Sequence, residues 1–317
     1  MSCNWMRRAL LALVPLSALL FAGCGSGTIE SQLTPSRVIA FGDGLSDLGQ
    51  TGSRYTVNDG TINIWTQEMA AGFSVTLTTA ASGGTSYATG NARVNTHPDA
   101  AGNSTTPTVK EQVDTFLASN TFGANDLVVI NGGISDIIAE AALVKAGSET
   151  SAQMVANVQQ AGRDLGAQVR RLVQAGAKHV VVAGTYDLGR SPWAAVTGQV
   201  GPLSEVSIKF NTELLVSIVD LGASVLYVDA ALLFNLMANG PGNYALTNST
   251  DVACNSIDPG PGIGIGPGEV NSSLCNASTI NTGVTYGTYL FADKVYPTPQ
   301  AQRTFGDYSY QRVHSRW

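Results

Sequence analysis

The segment Arg37–Gln50, RVIAFGDGLSDLGQ, is the stretch of sequence that decides the fold. It opens with a short apolar run, Val38–Phe41, that has a β-branched start and is ended by a glycine. Ser46 and Asp47 follow with a hydroxyl and a carboxylate, which often cap the amino end of a helix. The pattern predicts a strand, a tight turn and a helix start. Because open α/β sheets bind ligands beyond the carboxyl ends of their strands, we expect the chemistry at this turn, where Gly44 stands.

Further strand and helix patterns alternate along the rest of the chain. Apolar runs rich in β-branched residues predict strands, and amphipathic stretches between them predict helices. The predicted strands are 75–80, 126–130, 179–184 and 223–230, and the predicted helices are 64–71, 109–118, 150–175, 204–221, 231–238 and 299–313. This alternation is typical of βαβ units. We therefore expect one α/β domain, residues 37–317, with helices on both faces of a central parallel sheet.

Composition excludes several classes of function. The 317 residues carry a net charge of −6, only 13% of them are charged, and Lys and Arg form no basic run. Nucleic-acid binding is therefore not expected. No metal-ligand pattern, phosphate loop or cofactor motif is present, so we expect no metal and no cofactor. We expect a monomer.

The amino terminus has the pattern of a secretion signal. Arg7 and Arg8 precede an apolar run, Ala9–Ala22, that is too short for a membrane span with loops on both sides. The end of this run, Leu20–Cys24 (LFAGC), resembles the lipobox of bacterial lipoproteins, in which the cysteine is lipidated. An ordinary signal peptide followed by a chance cysteine is the alternative.

The lipobox resemblance implies a processed and anchored protein. It implies a signal peptide over residues 1–23, a lipid on Cys24, and a flexible tether over residues 24–36. Gly25 follows the cysteine where Asp would retain such proteins at the inner membrane. The expected location is therefore the outer membrane or periplasm of a Gram-negative bacterium, with the membrane contacted through an N-terminal lipid anchor.

Cys254 and Cys275 flank part of a Gly-, Pro-, Asn- and Ser-rich stretch, Asn239–Thr285. In an oxidising compartment these two thiols most simply pair with each other, and such a bond contributes roughly 3 kcal/mol on the loop-entropy model. A metal site would need further His or Cys ligands, and none lies between them. We expect a disulfide that pins a long loop, of the kind that is often a functional lid.

The Arg37–Gln50 segment resembles the first block of the GDSL or SGNH hydrolase family, the GDSL-like lipases and acylhydrolases. That block reads Phe-Gly-Asp-Ser-Leu-Ser-Asp, and its first Ser is the nucleophile. The nucleophile position holds Gly44, and the other six positions match: Phe41, Gly42, Asp43, Leu45, Ser46 and Asp47. Ser46 is the nearest alternative nucleophile, although its expected capping role explains it sufficiently.

Two middle stretches resemble the next blocks of the family. Gly83, in ASGGTS at 81–86, matches the glycine whose backbone N–H contributes to the oxyanion hole. NGGISD at 131–136 resembles the Gly-x-Asn-Asp block, with Ser135 in place of the Asn that donates to the oxyanion. A Ser hydroxyl is shorter than an Asn amide, so it reaches less far toward an oxyanion placed for the latter.

The last stretch, DKVYPT at 293–298, resembles the Asp-x-Val-His-Pro-Thr block. Asp293 matches the residue that orients the catalytic base, and Tyr296 replaces the His that serves as that base. A Tyr with an ordinary pKa near 10 is a poor base at neutral pH. Of the triad only Asp293 remains, and the backbone N–H groups of Gly44 and Gly83 are the remaining oxyanion donors.

The family resemblance implies a flavodoxin-like three-layer α/β/α fold and descent from carboxylic-ester hydrolases. Substitutions in three separate blocks, on a chain with its signal peptide, favour a natural variant over an engineered knock-out. We favour a catalytically degenerate lipoprotein that binds a lipid, an ester, an acylated small molecule or a glycan in the inherited cleft. An active esterase or lipase with a rearranged site is the alternative, and a structural role at the envelope is a third possibility.

Overall fold

The computed structural model describes residues 33–317. The predicted signal peptide, Cys24 and most of the predicted tether lie outside these described residues. Among residues 33–317, no helix is both long and apolar enough to cross a membrane. The chain enters the domain at Leu33, whose backbone N–H donates to the carbonyl of Trp317.

Four parallel strands form the central sheet in the order β1-β2-β3-β4. Their bounds are Arg37–Phe41 (β1), Asp126–Asn131 (β2), His179–Ala183 (β3) and Val225–Val228 (β4). The apolar side chains of β2 and β3 are fully buried, as expected for strands that are covered on both faces. The predicted α/β/α architecture with a central parallel sheet is confirmed.

Eight helices surround the sheet in the described residues, and they form two groups. In the first group α4 packs against α2, α3 and α6, and in the second α1 and α7 pack against α8. The short α5 links β3 to α6. Their bounds are Trp65–Gly72 (α1), Val109–Ser119 (α2), Ile134–Lys145 (α3), Ser151–Gln174 (α4), Pro192–Thr197 (α5), Val200–Ile218 (α6), Ala230–Asn239 (α7) and Pro299–His314 (α8).

Side-chain caps fix where several of these helices begin. Thr108, Thr150, Asp229 and Thr298 each accept a hydrogen bond from the backbone N–H three residues later. These bonds satisfy amide groups that have no partner within the helix. The predicted helices therefore appear close to their expected bounds, whereas α3 and α5 were not predicted.

The predicted helix start at Ser46 and Asp47 is wrong. Residues 44–46 form a turn, residues 47–49 are irregular, and the next helix is α1. The Asp47 carboxylate accepts from the backbone N–H groups of Gly49, Gln50 and Gly90 at 2.7–2.8 Å. Its hydrogen bonds therefore hold a turn against a distant segment, and no helix amide is capped.

The predicted strand at 75–80 is also wrong. This stretch is irregular, and only Thr79 forms an isolated bridge, to Ser86. The segment that follows runs beside β1: Ala40 N–H donates to the carbonyl of Thr85, and Tyr87 N–H donates to the carbonyl of Ala40. The place of a fifth strand at this sheet edge is therefore taken by residues 85–87.

The long stretch 239–285 contains more regular structure than a loop. Here β5 (Asn248–Val252) pairs in parallel with β8 (Tyr289–Phe291), and β6 (Ile257–Asp258) pairs with β7 (Glu269–Val270). A buried disulfide joins Cys254 to Cys275. The stretch is thus a tied subdomain of short strands beside the carboxyl end of the chain.

Candidate active site

The three substituted positions, Gly44, Ser135 and Tyr296, lie together beyond the carboxyl ends of β1 and β2. All three are fully buried. A Cβ atom added to Gly44 would lie 2.7 Å from Tyr296 Oη and 2.8 Å from its Cζ. Real side chains do not approach so closely. The Tyr296 ring therefore fills the space that a nucleophile at position 44 would need.

Burial controls the ionisation of Tyr296. Its pKa is raised well above 10, chiefly because the phenol is buried and further because negative charge on Asp43 and Asp293 lies nearby. The neighbouring Ser135 hydroxyl opposes this shift. Tyr296 is consequently a neutral phenol at physiological pH and does not accept a proton as the family's His would.

Two side chains hold the turn around Gly44 in place. Asp43 accepts from the backbone N–H of Leu45 at 3.0 Å and from the Asn131 amide at 2.7 Å. Burial raises the pKa of the Asp43 carboxyl, and these two bonds oppose the shift. Asn131 was not assigned a role from the sequence, because only its position at the end of β2 brings it to this turn.

Asp293 lies at the site, but its bonds are structural. One carboxylate oxygen accepts from the backbone N–H groups of Val295 and Tyr296 at 2.8 and 2.6 Å, and the other accepts from Ser272 at 2.9 Å. Burial raises the pKa of this carboxyl. Asp293 therefore closes its own turn and ties the disulfide-bonded stretch to it, with no imidazole at position 296 to orient.

The structure does not place Gly83 at the site. Gly83 is exposed, with a φ of +80°, and its N–H donates to the carbonyl of Ala80. The parallel pairing with β1 instead brings Thr89 and Gly90 to the turn, where Thr89 N–H donates to the carbonyl of Gly42. The oxyanion role predicted for Gly83 is therefore wrong, because the tight turn at 80–84 precedes the segment that reaches the site.

Ser46 is buried and already engaged. Its hydroxyl oxygen accepts a hydrogen bond from the indole N–H of Trp65 at 3.0 Å. The capping role predicted for Ser46 is therefore wrong. Ser46 also has no histidine beside it that could activate it as a nucleophile.

The three histidines of the chain lie elsewhere. His97 is on the surface, 3.1 Å from the Glu111 carboxylate. His179 starts β3 and packs edge-on against Trp317, and His314 stacks on Tyr310 in the last turns of α8. Within residues 33–317, no cluster of three or more His, Cys, Asp or Glu residues is arranged to hold a metal ion.

Asp136, which matches the Asp of the third block, is buried in a separate contact. It accepts from the backbone N–H of Val94 at 3.1 Å and lies 3.5 Å from the Arg93 guanidinium. Burial raises the pKa of this carboxyl from 3.8 to about 6, against the opposing effect of Arg93. Asp136 therefore fastens the start of α3 to the 93–94 segment.

The raised pKa of Asp136 predicts a specific pH dependence of stability. Between about pH 4 and pH 6 the folded chain keeps this proton while the unfolded chain releases it, so the free energy of unfolding falls as pH rises, by up to about 3 kcal/mol. Urea unfolding at pH 4 and pH 7 measures this effect. The free energy of unfolding of the native chain should fall between these pH values by up to about 3 kcal/mol more than that of Asp136→Asn. The exposed control Asp251→Asn should show no such change, and a difference between native and Asp136→Asn that is independent of pH would contradict the assignment.

Comparisons with known proteins agree with the block matches. A family model described as GDSL-like Lipase/Acylhydrolase matches residues 38–309. An uncharacterized protein in the trpE-trpG intergenic region of Pseudomonas putida is 27% identical over 195 residues, which is 61% of this chain and 29% of that protein. The match thus spans less than a third of the length of this relative.

Proposed function

The chain belongs to the GDSL-like lipase/acylhydrolase family, and from that premise we propose that it is a catalytically inactive member that binds a lipid, acyl or glycan group without cleaving it. The observation that carries the proposal is the Tyr296 side chain, whose Oη lies 2.7 Å from where a Cβ on Gly44 would lie. A serine nucleophile needs a side chain at that position and a base within hydrogen-bond reach. The chain supplies neither.

The contacts of the nearest substitutes argue against a rearranged active site. Ser46 accepts from the Trp65 indole, and no histidine of the chain lies beside it. The oxyanion donors are also not assembled, because the N–H of the exposed Gly83 donates to Ala80 within its own turn and Gly44 is buried beneath Tyr296. An active ester hydrolase is therefore the less favoured function.

We place the bound group outside the position above Gly44, because Tyr296 fills that position. This changes the expectation drawn from the sequence, which put the ligand in the inherited cleft. The proposed setting is the cell envelope, with the domain secreted and anchored through a lipid on Cys24. The LFAGC stretch supports that setting.

Ester hydrolysis tests the proposal directly. We expect the purified full chain to hydrolyse short-chain and long-chain p-nitrophenyl esters with a kcat far below the roughly 1–10³ s⁻¹ of ordinary enzymes. Ser46→Ala should leave that rate unchanged. A variant with both Gly44→Ser and Tyr296→His should be faster than the native chain, since it gains a nucleophile and a base next to Asp293.

The contrary result is a native chain that turns over at an ordinary enzymatic rate. If Ser46→Ala then abolished that rate, the rearranged-site alternative would replace the proposal. If the native chain and Ser46→Ala both hydrolysed the esters at an ordinary enzymatic rate, another residue would have to be the nucleophile. The proposal would be wrong in that case too.

A further inference from the structure

A groove of about 580 Å³ lies along α3, the helix whose first turn contains Ser135. Its walls are α3, the segment from α5 to the start of α6, and the loop at 264–266 of the disulfide-bonded stretch. The volume lies within the range of small-molecule binding sites. This groove is distinct from the position above Gly44, because neither Gly44 nor Tyr296 lines it.

One side of α3 forms the floor of the groove. Ile138, Ala141, Ala142 and Lys145 line it at spacings of three and four residues, which places them on one face of the helix. The alanines are small, so the floor is both apolar and recessed. Ile265 adds a further apolar side chain from the loop opposite. A flexible aliphatic chain fits such a surface without leaving polar atoms unpaired.

The polar side chains of the groove are Trp193, Thr197, Gln199 and Lys145, and the Thr197 hydroxyl already donates to the carbonyl of Trp193. Trp193 is only 7% exposed, and its indole N–H donates to no acceptor within residues 33–317. Gln199 also lines the groove. Lys145 is the one charged residue among the lining residues, and the lysine ion pairs within the described part of the chain are those of Lys110 and Lys294. The lining therefore favours a ligand with one negative charge and acceptor oxygens.

The buried state of Trp193 also bears on the class of ligand. A sugar is usually held by stacking on an open aromatic face, and more than nine-tenths of this side chain is covered by protein. Little of the indole is left for a ligand. The groove is therefore better suited to an aliphatic ligand than to a glycan.

We propose that this groove binds a free long-chain carboxylate, with the aliphatic chain along the α3 floor and the carboxylate bound by Lys145. The proposal gives a location and a chemical class to the non-catalytic binding proposed above, and it rests on that function. The Trp193 N–H supplies a second donor to the carboxylate. A neutral alcohol or ester of the same length lacks the charge and binds more weakly.

The test is a titration of the purified full chain with cis-parinaric acid, a fluorescent long-chain carboxylate, followed by displacement with palmitate. Ala142→Trp fills the floor at an exposed helical position and should raise the dissociation constant at least about tenfold, whereas Ala156→Trp, exposed on α4, should leave it unchanged. Lys145→Glu should weaken palmitate binding about tenfold. Lys178→Glu makes the same charge change at an exposed position outside the groove lining and should have no effect.

Hexadecanol separates the charged head from the apolar chain. We expect it to displace the probe less well than palmitate from the native chain, and equally well from native and Lys145→Glu protein. Displacement by an alkyl glucoside in preference to palmitate would overturn the proposal, as would palmitate binding that neither Ala142→Trp nor Lys145→Glu alters. Absence of palmitate binding with no ester hydrolysis would remove the groove assignment alone, whereas ordinary hydrolysis would remove the proposed function.

Discussion

Replacing Tyr296 by Ala is expected to lower the free energy of unfolding by about 4 kcal/mol. The side chain is fully buried, packs against Tyr55 with ring centroids 5.0 Å apart, and would leave a cavity above Gly44. Tyr296→Phe should be close to neutral, because the hydroxyl that it removes has no hydrogen-bond partner among the described residues. Urea unfolding of the full chain measures both effects. A large loss in Tyr296→Phe would show that the hydroxyl, and not the ring, stabilises the site.

The same ring predicts strong coupling with position 44. Gly44→Ser alone should cost about 2 kcal/mol or more, because its Cβ would meet Tyr296 Oη at 2.7 Å. In the Gly44→Ser, Tyr296→Ala double variant the serine enters the vacated space, so the total loss should be about 2 kcal/mol smaller than the sum of the single losses. Phe116→Ala is the matched control, since Phe116 packs against Phe41 and Phe122 and should add to Gly44→Ser without coupling. Additivity of Gly44→Ser with Tyr296→Ala would contradict the fit described for the site.

Asp293→Ala is the second substitution with a large expected effect, again a loss of about 4 kcal/mol. It removes the acceptor of three buried backbone N–H groups, those of Ser272, Val295 and Tyr296. Asp293→Asn should cost about half as much, because one oxygen still accepts from Val295 and Tyr296 while the amide group faces the Ser272 N–H. Unfolding measurements give the losses, and amide hydrogen exchange at Ser272 should speed up in both variants.

The exposed Asp251→Asn serves as the control for removal of a carboxylate. An Asp293→Ala variant with native stability but a lowered rate of ester hydrolysis would contradict the structural role. That outcome would instead give Asp293 the catalytic role that its position in the last block suggests from the sequence. The two roles therefore predict opposite patterns of stability and rate.

The central sheet could be predicted because its strands carry a local signal. The β-branched runs in β2 and β3 are apolar along their whole length, and only burial on both faces accounts for them. Asp47 and Gly83 carry no comparable signal. A carboxylate after a strand caps a helix or a turn equally well, and the choice depends on Gly90, which only the sheet pairing brings near. Which glycine reaches the site likewise depends on the register of residues 85–87 against β1.

The sequence could predict which positions form the candidate site, but not how their side chains fill the space between them. Gly44, Ser135 and Tyr296 could be identified one at a time from the blocks that they interrupt. That the Tyr296 ring occupies the space left free by Gly44 is a relation between residues far apart in the chain, and no local pattern expresses it. The same holds for the bond from Ser272 to Asp293, which depends on how the disulfide-bonded stretch folds back.

The fit of Tyr296 over Gly44 also bears on the evolutionary history of the chain. Return of the serine alone meets the ring, and return of the histidine alone supplies a base with no nucleophile to activate. The first step lowers stability in a protein whose margin is small, and the second brings no activity on which selection can act. Once both residues are present, neither single substitution restores activity, and Gly44→Ser alone also lowers stability. For the non-catalytic member proposed above, a gain of esterase activity at this site therefore requires paired changes at positions 44 and 296.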